Sequence, residues 1–161
     1  GDVYKRQLLV SHAPTNRFYK GSDHIIKVCK QLERENKIFF DLIENVSHNE
    51  ALERKGKSDI FIDQIGDRGG WGYGMNSVES LAMGSCTLTQ LNSKYQKFIP
   101  DYPFINVNKA TLKENLEDLI KDKKKISKKG EEAKIWVKKK HNIRKVSDEL
   151  YTYYKSIGLK V

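Results

Sequence analysis

Strand-like and helix-like segments alternate along most of the chain. Short runs rich in β-branched and aromatic residues, such as Lys37–Ile43 and Asp59–Gln64, predict strands. Between them, apolar residues recur at helical spacing in Gly21–Glu35, and capping-box sequences begin at Ser47 and Thr111. Because such alternation favours one parallel sheet covered on both faces, we expect an α/β, doubly wound, Rossmann-like domain. The other predicted strands are Leu8–Ser11, Cys86–Leu91 and Phe104–Val107, and the other predicted helices are Asn76–Met83 and two segments after the helix that opens at Thr111.

A glycine-rich turn that runs into an amphipathic helix, Gly69–Gly84, carries the strongest functional signal. Glycines let a backbone approach a ligand closely, and the free N–H groups at the start of a helix suit a diphosphate. Glu79, about one turn into the helix, is placed to accept hydrogen bonds from vicinal hydroxyls such as those of a ribose. The structural alternative is a capping box over Asn76–Glu79, in which the carboxylate only bonds back to the start of the helix.

The formal net charge of +9 directs attention to anionic partners. Much of the excess is concentrated in late lysine clusters, which are most often a solvated helix face. The best functional alternative for them is a peripheral contact with acidic lipid head groups. The clustered lysines are Lys121, Lys123, Lys124, Lys125, Lys128, Lys129, Lys138, Lys139 and Lys140.

Length and cysteine usage narrow the class of protein further. The 161 residues are enough for one domain with a real core and too few for two of ordinary size. The sequence has no apolar run long enough to span a membrane and no apolar signal segment, so we expect a cytoplasmic protein. Cys29 and Cys86 lack metal-ligand spacing and are expected to be buried free thiols.

The first seven residues are predicted to be foreign to the fold. One plausible back-translation of Asp2–Gln7 matches the end of a transposon adapter used in sequencing libraries, so residues 1–7 resemble a read-through segment. The domain is therefore expected to occupy residues 8–161, with an upstream part of the protein missing.

Three stretches together resemble the C-terminal, donor-binding domain of GT-B-fold glycosyltransferases of the family 4 type. They are His12–Gly21, Ser58–Gln64 and Gly72–Gly84. The last is the most specific, because it combines Gly-aromatic-Gly, a short spacer, a Glu and a small-residue helix that ends in Gly. The segment from Trp136 to Tyr154 also resembles the closing part of that family.

The resemblance implies a retaining transfer of a sugar from a nucleotide-diphosphate-sugar donor, with the donor as substrate and no cofactor. Lys20 and Arg17 are the implied catalytic cations, and Glu79 would bind the nucleotide ribose. Cations and preorganised N–H donors would stabilise the charge that develops on the leaving diphosphate. The full implied donor-binding set is His12, Lys20, Gly21, Gln64, Gly72, Tyr73, Gly74, Met75, Asn76 and Glu79.

The chain departs from the family pattern at one position. Trp71 stands where the family often has an earlier Glu, eight positions before Glu79, so a second acidic residue contacting the sugar is not assigned. No Asp-x-Asp pair occurs, which agrees with metal-independent transfer. The family places its acceptor, a saccharide or glycolipid, in a preceding domain. We therefore expect a fragment that binds donor weakly, cannot turn over alone, and works in polysaccharide synthesis at the inner face of a membrane.

Two other classes of function remain open. A non-catalytic nucleotide-binding module would share the architecture and the phosphate-binding turn. A basic nucleic-acid-binding protein would account for the net charge, but the lysines lack interleaved aromatic residues and a recognised motif. Nucleic acid is therefore not expected as a partner.

Overall fold

The computed structural model describes residues 6–66, 68 and 72–160. Within them the chain forms one five-stranded, all-parallel sheet in the order β2-β1-β3-β4-β5, flanked by helices, which confirms the predicted α/β, doubly wound, Rossmann-like class. The strands are β1 Leu8–His12, β2 Ile38–Leu42, β3 Ile60–Ile62, β4 Cys86–Thr89 and β5 Ile105–Asn106. The helices are α1 Arg17–Lys20, α2 Ser22–Arg34, α3 His48–Gly56, α4 Met75–Ala82, α5 Ser93–Gln96, α6 Leu112–Lys121, α7 Lys123–Lys140 and α8 Ile143–Ser156.

The central strands are buried on both faces. All residues of β3 and β4 are buried, as expected where helices cover both sides of a parallel sheet. On one face, Ile60 and Ile62 pack with apolar residues of α2 and α6. On the other, Phe61 packs with Ala51 of α3. This alternation along β3 fixes which helices lie on which side of the sheet.

The strand order reverses between β1 and β3. The chain moves from β1 to β2 on one side, and then returns to place β3 on the other side of β1. In open parallel sheets, the loops on either side of such a point diverge and leave a crevice beyond the carboxyl ends of the strands. A ligand site is therefore expected beyond His12 and Ile62.

Two predicted capping boxes have different outcomes. Ser47 caps α3, because its Oγ accepts the backbone N–H of Glu50 at 3.2 Å. The box at Thr111 is wrong, because the Thr111 Oγ1 donates to Asn108 Oδ1 at 3.3 Å instead. Asn108 Oδ1 also accepts the backbone N–H of Thr111 at 3.1 Å, so the turn before α6 is closed by an Asx-type contact.

The first seven residues, which the sequence predicts to be foreign to the fold, are described only in part. Residues 1–5 lie outside the described part, while Gln7 Nε2 donates to the backbone oxygen of Asn36 at 2.6 Å.

The lysine-rich end of the chain is open to solvent, because every residue of 142–160 is exposed. Among the described residues, no helix combines the length and the apolar character needed to cross a membrane.

Candidate functional site

A cleft of about 890 Å³ lies beyond the carboxyl ends of β1 and β2 and beside the start of α4. The loops after β1 and β2 form one wall, and α3 and α4 form another. It adjoins the reversal of strand order between β1 and β3, because the loop after β1 and the start of α4, the helix that follows β3, both line it. Side chains of opposite charge line it, namely Arg17, Lys20, Glu44, Lys55 and Glu79.

Helix α4 presents its first turn to this cleft. Met75, its first residue, is 73% exposed, and Gly74 forms the N-cap. A Cβ built on Gly74 would lie 4.0 Å from both Asp63 Oδ2 and Lys20 Nζ. The glycine therefore leaves open space between the helix start and a lysine ammonium, where an anion would be stabilised by N–H groups and by positive charge.

Glu79 does not form the capping box. It is the fifth residue of α4, a full turn from Gly74, so its carboxylate cannot bond back to the N-cap. Instead Glu79 Oε2 lies 2.5 Å from Lys55 Nζ, and its side chain is 21% exposed. The carboxylate therefore reaches the cleft, which is the position required to bind a ligand.

Lys20 ends the one-turn helix α1, and its Nζ donates to Asp63 Oδ1 at 2.5 Å. It lies 3.5 Å from Gln64 Oε1, so a carboxylate and an amide hold the ammonium from the β3 side. An ammonium has three N–H donors. Lys20 lines the cleft, which leaves one donor direction for a ligand.

Asp63 connects Lys20 to the start of α4. Its side chain is completely buried, and it accepts from Ser77 Oγ at 2.5 Å as well as from Lys20. The backbone N–H of Gly74 lies 3.5 Å from its Oδ2. These bonds fix the position of the Lys20 ammonium relative to the start of α4.

Lys55 is a site residue that the sequence analysis missed. It lies in the last turn of α3 and is only 2% exposed, yet its Nζ reaches Glu79 Oε2 and Asn76 Oδ1. One signal was present in the sequence, because Lys55 follows Ala51 by four residues and so shares the face of α3 that packs on the sheet.

Asn76 ties α4 to the loop after β1. Its Nδ2 donates to the backbone oxygen of Ala13 at 3.0 Å while its Oδ1 accepts from Lys55. These two bonds hold the first turn of α4 against the cleft floor. Asn76 therefore positions the helix start as well as lining the cleft.

Arg17 forms a two-pronged ion pair with Glu44, which follows β2. Its Nε and Nη2 donate to the two carboxylate oxygens at 2.7 and 2.6 Å. These hydrogen bonds lower the pKa of Glu44 and raise that of Arg17. The Arg17 side chain is 59% exposed, so it remains accessible to an anion in the cleft.

His12 lies beneath the cleft rather than in its lining. It is fully buried, with Nδ1 2.8 Å from the Ile62 oxygen and Nε2 2.7 Å from Ser22 Oγ. Burial lowers its pKa to about 4, so the ring is neutral at neutral pH. Both nitrogens are engaged, and the residue joins β1 to β3 and α2 instead of presenting a donor to a ligand.

The remaining predicted donor-binding residues are spread over the fold. Gly21 adopts a left-handed conformation (φ 65°) between α1 and α2, where a Cβ would meet the Ile65 oxygen at 2.1 Å. Gln64 Nε2 donates to the Gly72 oxygen, which holds the glycine loop against β3. Tyr73 packs with Trp136 at 5.6 Å between ring centroids, so its ring serves packing. Gly69, Gly70 and Trp71 lie outside the described residues.

The site therefore contains a partly buried lysine, Lys20, and a buried one, Lys55, on either side of the first turn of α4, each held by one carboxylate and one amide. Lys20 is held by Asp63 and Gln64, and Lys55 by Glu79 and Asn76. Within residues 6–66, 68 and 72–160, no three His, Cys, Asp or Glu side chains are grouped to hold a metal ion. The chemistry that these groups offer is binding of an anion and of hydroxyls.

Comparison with family models and with curated proteins finds no match for this chain.

Proposed function

We propose that this chain is the donor-binding domain of a retaining, metal-independent glycosyltransferase of the GT-B type, and that it binds a nucleotide-diphosphate sugar. The observation that carries the proposal is the placing of Lys20, the N-terminus of α4 and Glu79 along one cleft at the reversal of strand order. The diphosphate would lie against Lys20 and the helix start. The ribose hydroxyls would bond to Glu79 one turn further along.

The proposed chemistry is electrostatic. Cleaving the bond between sugar and diphosphate leaves negative charge on the nucleoside diphosphate. Lys20 and Arg17 would meet that charge, and groups already held in place by Asp63 and Glu44 need little reorganisation. In this proposal the acceptor, a saccharide or glycolipid, is supplied by a preceding domain that forms the other wall of the cleft.

The test is calorimetric titration with UDP, GDP and their sugar conjugates, for the unaltered chain, Lys20→Ala and Glu79→Ala. The matched control is Lys57→Ala, because Lys57 is an exposed lysine of the same region paired with Glu53 at 2.7 Å. We expect one nucleotide to bind, and each site variant to weaken it about tenfold or more, as for loss of a charged hydrogen bond. Lys57→Ala should bind as the unaltered chain does.

Three results would count against the proposal. The proposal is refuted if none of the nucleotides binds. It is also refuted if Lys20→Ala and Glu79→Ala bind a nucleotide as tightly as the control does. Binding without sugar transfer, after an acceptor-binding domain is supplied, would favour a non-catalytic nucleotide-binding module. Thermal unfolding of each variant separates loss of the site from loss of the fold.

Peripheral contact with an anionic membrane is a second proposal, and charge segregation supports it. Residues 123–160 hold 13 Lys and Arg against 4 Asp and Glu, a net +9 that equals the charge of the whole chain. Sedimentation with vesicles of phosphatidylcholine, with and without phosphatidylglycerol, tests it. Binding only to the anionic vesicles, weakened by salt, is expected. Equally strong binding to DNA or RNA would instead indicate a general polyanion surface.

A further inference from the structure

Lys55 is buried far more deeply than its charge would favour. It is 2% exposed, and lysine is almost never fully buried unless it is paired. Its Nζ lies 2.5 Å from Glu79 Oε2, contacts Asn76 Oδ1 and stands 5.6 Å from the centre of the Phe61 ring. The ammonium is thus enclosed between α3, α4 and β3.

Stability alone does not account for this ion pair. Desolvating two charges costs about as much as their attraction returns, and well-packed apolar residues of similar volume are often as stable or more so. The pair therefore calls for a reason beyond packing.

The consequence for Glu79 supplies that reason. Lys55 bonds one carboxylate oxygen, Oε2, and so removes the rotational freedom that a long side chain on a helix otherwise keeps. Among the residues that the structure describes, Oε1 has no hydrogen-bond partner, while the side chain remains 21% exposed to the cleft. A fixed carboxylate oxygen is left available to a ligand.

Lys55 also balances charge beside the anion site. An unpaired carboxylate one turn from the start of α4 would repel a diphosphate held there. With Lys55 beside it, Glu79 stays a strong acceptor while the pair carries no net charge. Hydroxyls and phosphates can then bind next to each other.

We infer that Lys55 is a positioning residue that holds Glu79 for a vicinal diol, and that it makes the cleft selective for nucleoside diphosphates with an intact ribose. The inference rests on the proposed function. It adds a residue from α3 to the site and a substrate preference that Lys55 sets through Glu79.

The test compares three probes on the unaltered chain and on Lys55→Met. The probes are the nucleoside diphosphate that binds tightest, its 2′,3′-dideoxy form and inorganic pyrophosphate. The unaltered chain should prefer the ribose form about tenfold or more, the effect of a hydrogen bond to a charged group. Lys55→Met should lose most of that preference. Its affinity for pyrophosphate should also fall, but by less than its affinity for the ribose form, because the unpaired Glu79 carboxylate repels a diphosphate at the start of α4. Lys57→Met, the exposed control two residues on, should match the unaltered chain.

An unchanged preference for the ribose form in Lys55→Met overturns the positioning role. If the affinities for all three probes also fall equally, Lys55 is only structural. If the unaltered chain binds no nucleotide, the proposed function itself fails.

A second measurement needs no variant and so does not depend on whether Lys55→Met folds. In the unaltered chain with ¹⁵N-labelled lysine, the Lys55 ammonium signal should shift when the ribose form binds. It should move little with pyrophosphate or the dideoxy form. The same shift with all three probes, or none with the ribose form, would refute the role of Lys55.

Discussion

The carboxylate of Asp63 holds the ammonium of Lys20 at 2.5 Å while exposing none of its own side-chain surface. Because it also accepts from Ser77 Oγ at 2.5 Å, it stands as an internal anion at the start of α4. An incoming anion must share Lys20 with it. If the cleft binds an anion as proposed, the strength of that binding depends on Asp63 as well as on Lys20.

Asp63→Asn is expected to tighten pyrophosphate binding while it destabilises the fold. Pyrophosphate should bind more tightly, because the neutral amide no longer offsets the charge of Lys20. The free energy of unfolding should fall by about 2 kcal/mol, because the hydrogen bonds from Lys20 and Ser77 to a charged carboxylate are lost. Lys20→Ala should weaken pyrophosphate binding, because the cation is removed. It should also lower the free energy of unfolding by about 3 kcal/mol, because the buried Asp63 carboxylate is left without its cation. Calorimetry and urea unfolding measure the two effects. Weaker pyrophosphate binding in Asp63→Asn would contradict the idea that Asp63 competes with the bound anion for Lys20.

His12 is expected to make the fold sensitive to mild acid. Its pKa is about 4 in the folded protein because of burial, against about 6.5 when unfolded, so between these values the unfolded chain binds more protons. Stability should therefore fall as pH drops from about 6.5 towards 4, with about 2 kcal/mol of the loss between pH 7 and pH 5.

Urea unfolding of the unaltered chain and of His12→Asn checks this at both pH values. The variant should be less stable at pH 7, because it loses one of two buried hydrogen bonds, and less dependent on pH. His48→Gln, at the exposed start of α3, is the control and should keep the pH dependence of the unaltered chain. If the free energy of unfolding depends on pH equally in His12→Asn and in the unaltered chain, a group other than His12 causes the sensitivity to acid.

Local patterns in the sequence predicted the sheet and its major helices, because each long element carries its own periodicity. The two one-turn helices Arg17–Lys20 and Ser93–Gln96 were missed, since four residues are too few to show a helical repeat. The first of them is important for the site, because it places Lys20 against β3.

The site could be predicted only where its residues belong to local motifs. Glu79 and Lys20 stand in recognisable turn-to-helix sequences, and both line the cleft. Lys55 belongs to no such motif, because its role depends on α3 packing against α4, with its partner 24 residues away. For His12, the sequence showed a polar residue at a strand end but not that its side chain is fully buried, because burial there depends on packing against β3 and α2.

Cys29 and Cys86 are buried and free, as the sequence indicated. Burial raises the pKa of each thiol to about 12, so almost no thiolate exists at pH 8. Iodoacetamide should leave both unmodified in the native chain and alkylate both in urea, as read by mass spectrometry. Rapid native labelling of either cysteine would show that its helix or strand opens readily.

Gly21 and Gly74 should respond in opposite ways to the same substitution. Gly21 has φ 65°, and a Cβ there would meet the Ile65 oxygen at 2.1 Å, so Gly21→Ala strains the backbone and clashes with it. We expect a loss of about 2 kcal/mol or more in the free energy of unfolding. At Gly74, a Cβ finds only ordinary contacts, 4.0 Å from Asp63 Oδ2 and from Lys20 Nζ. Gly74→Ala should therefore fold within about 1 kcal/mol of the unaltered chain.

The same methyl group at position 74 would stand between Lys20 and the start of α4, where the diphosphate is proposed to lie. Gly74→Ala should therefore weaken pyrophosphate and nucleotide binding about tenfold, while urea unfolding barely changes. If Gly74→Ala binds as the unaltered chain does, the anion does not approach the first turn of α4. The phosphate position would then have to be sought on the Arg17 side of the cleft, where the guanidinium is 59% exposed.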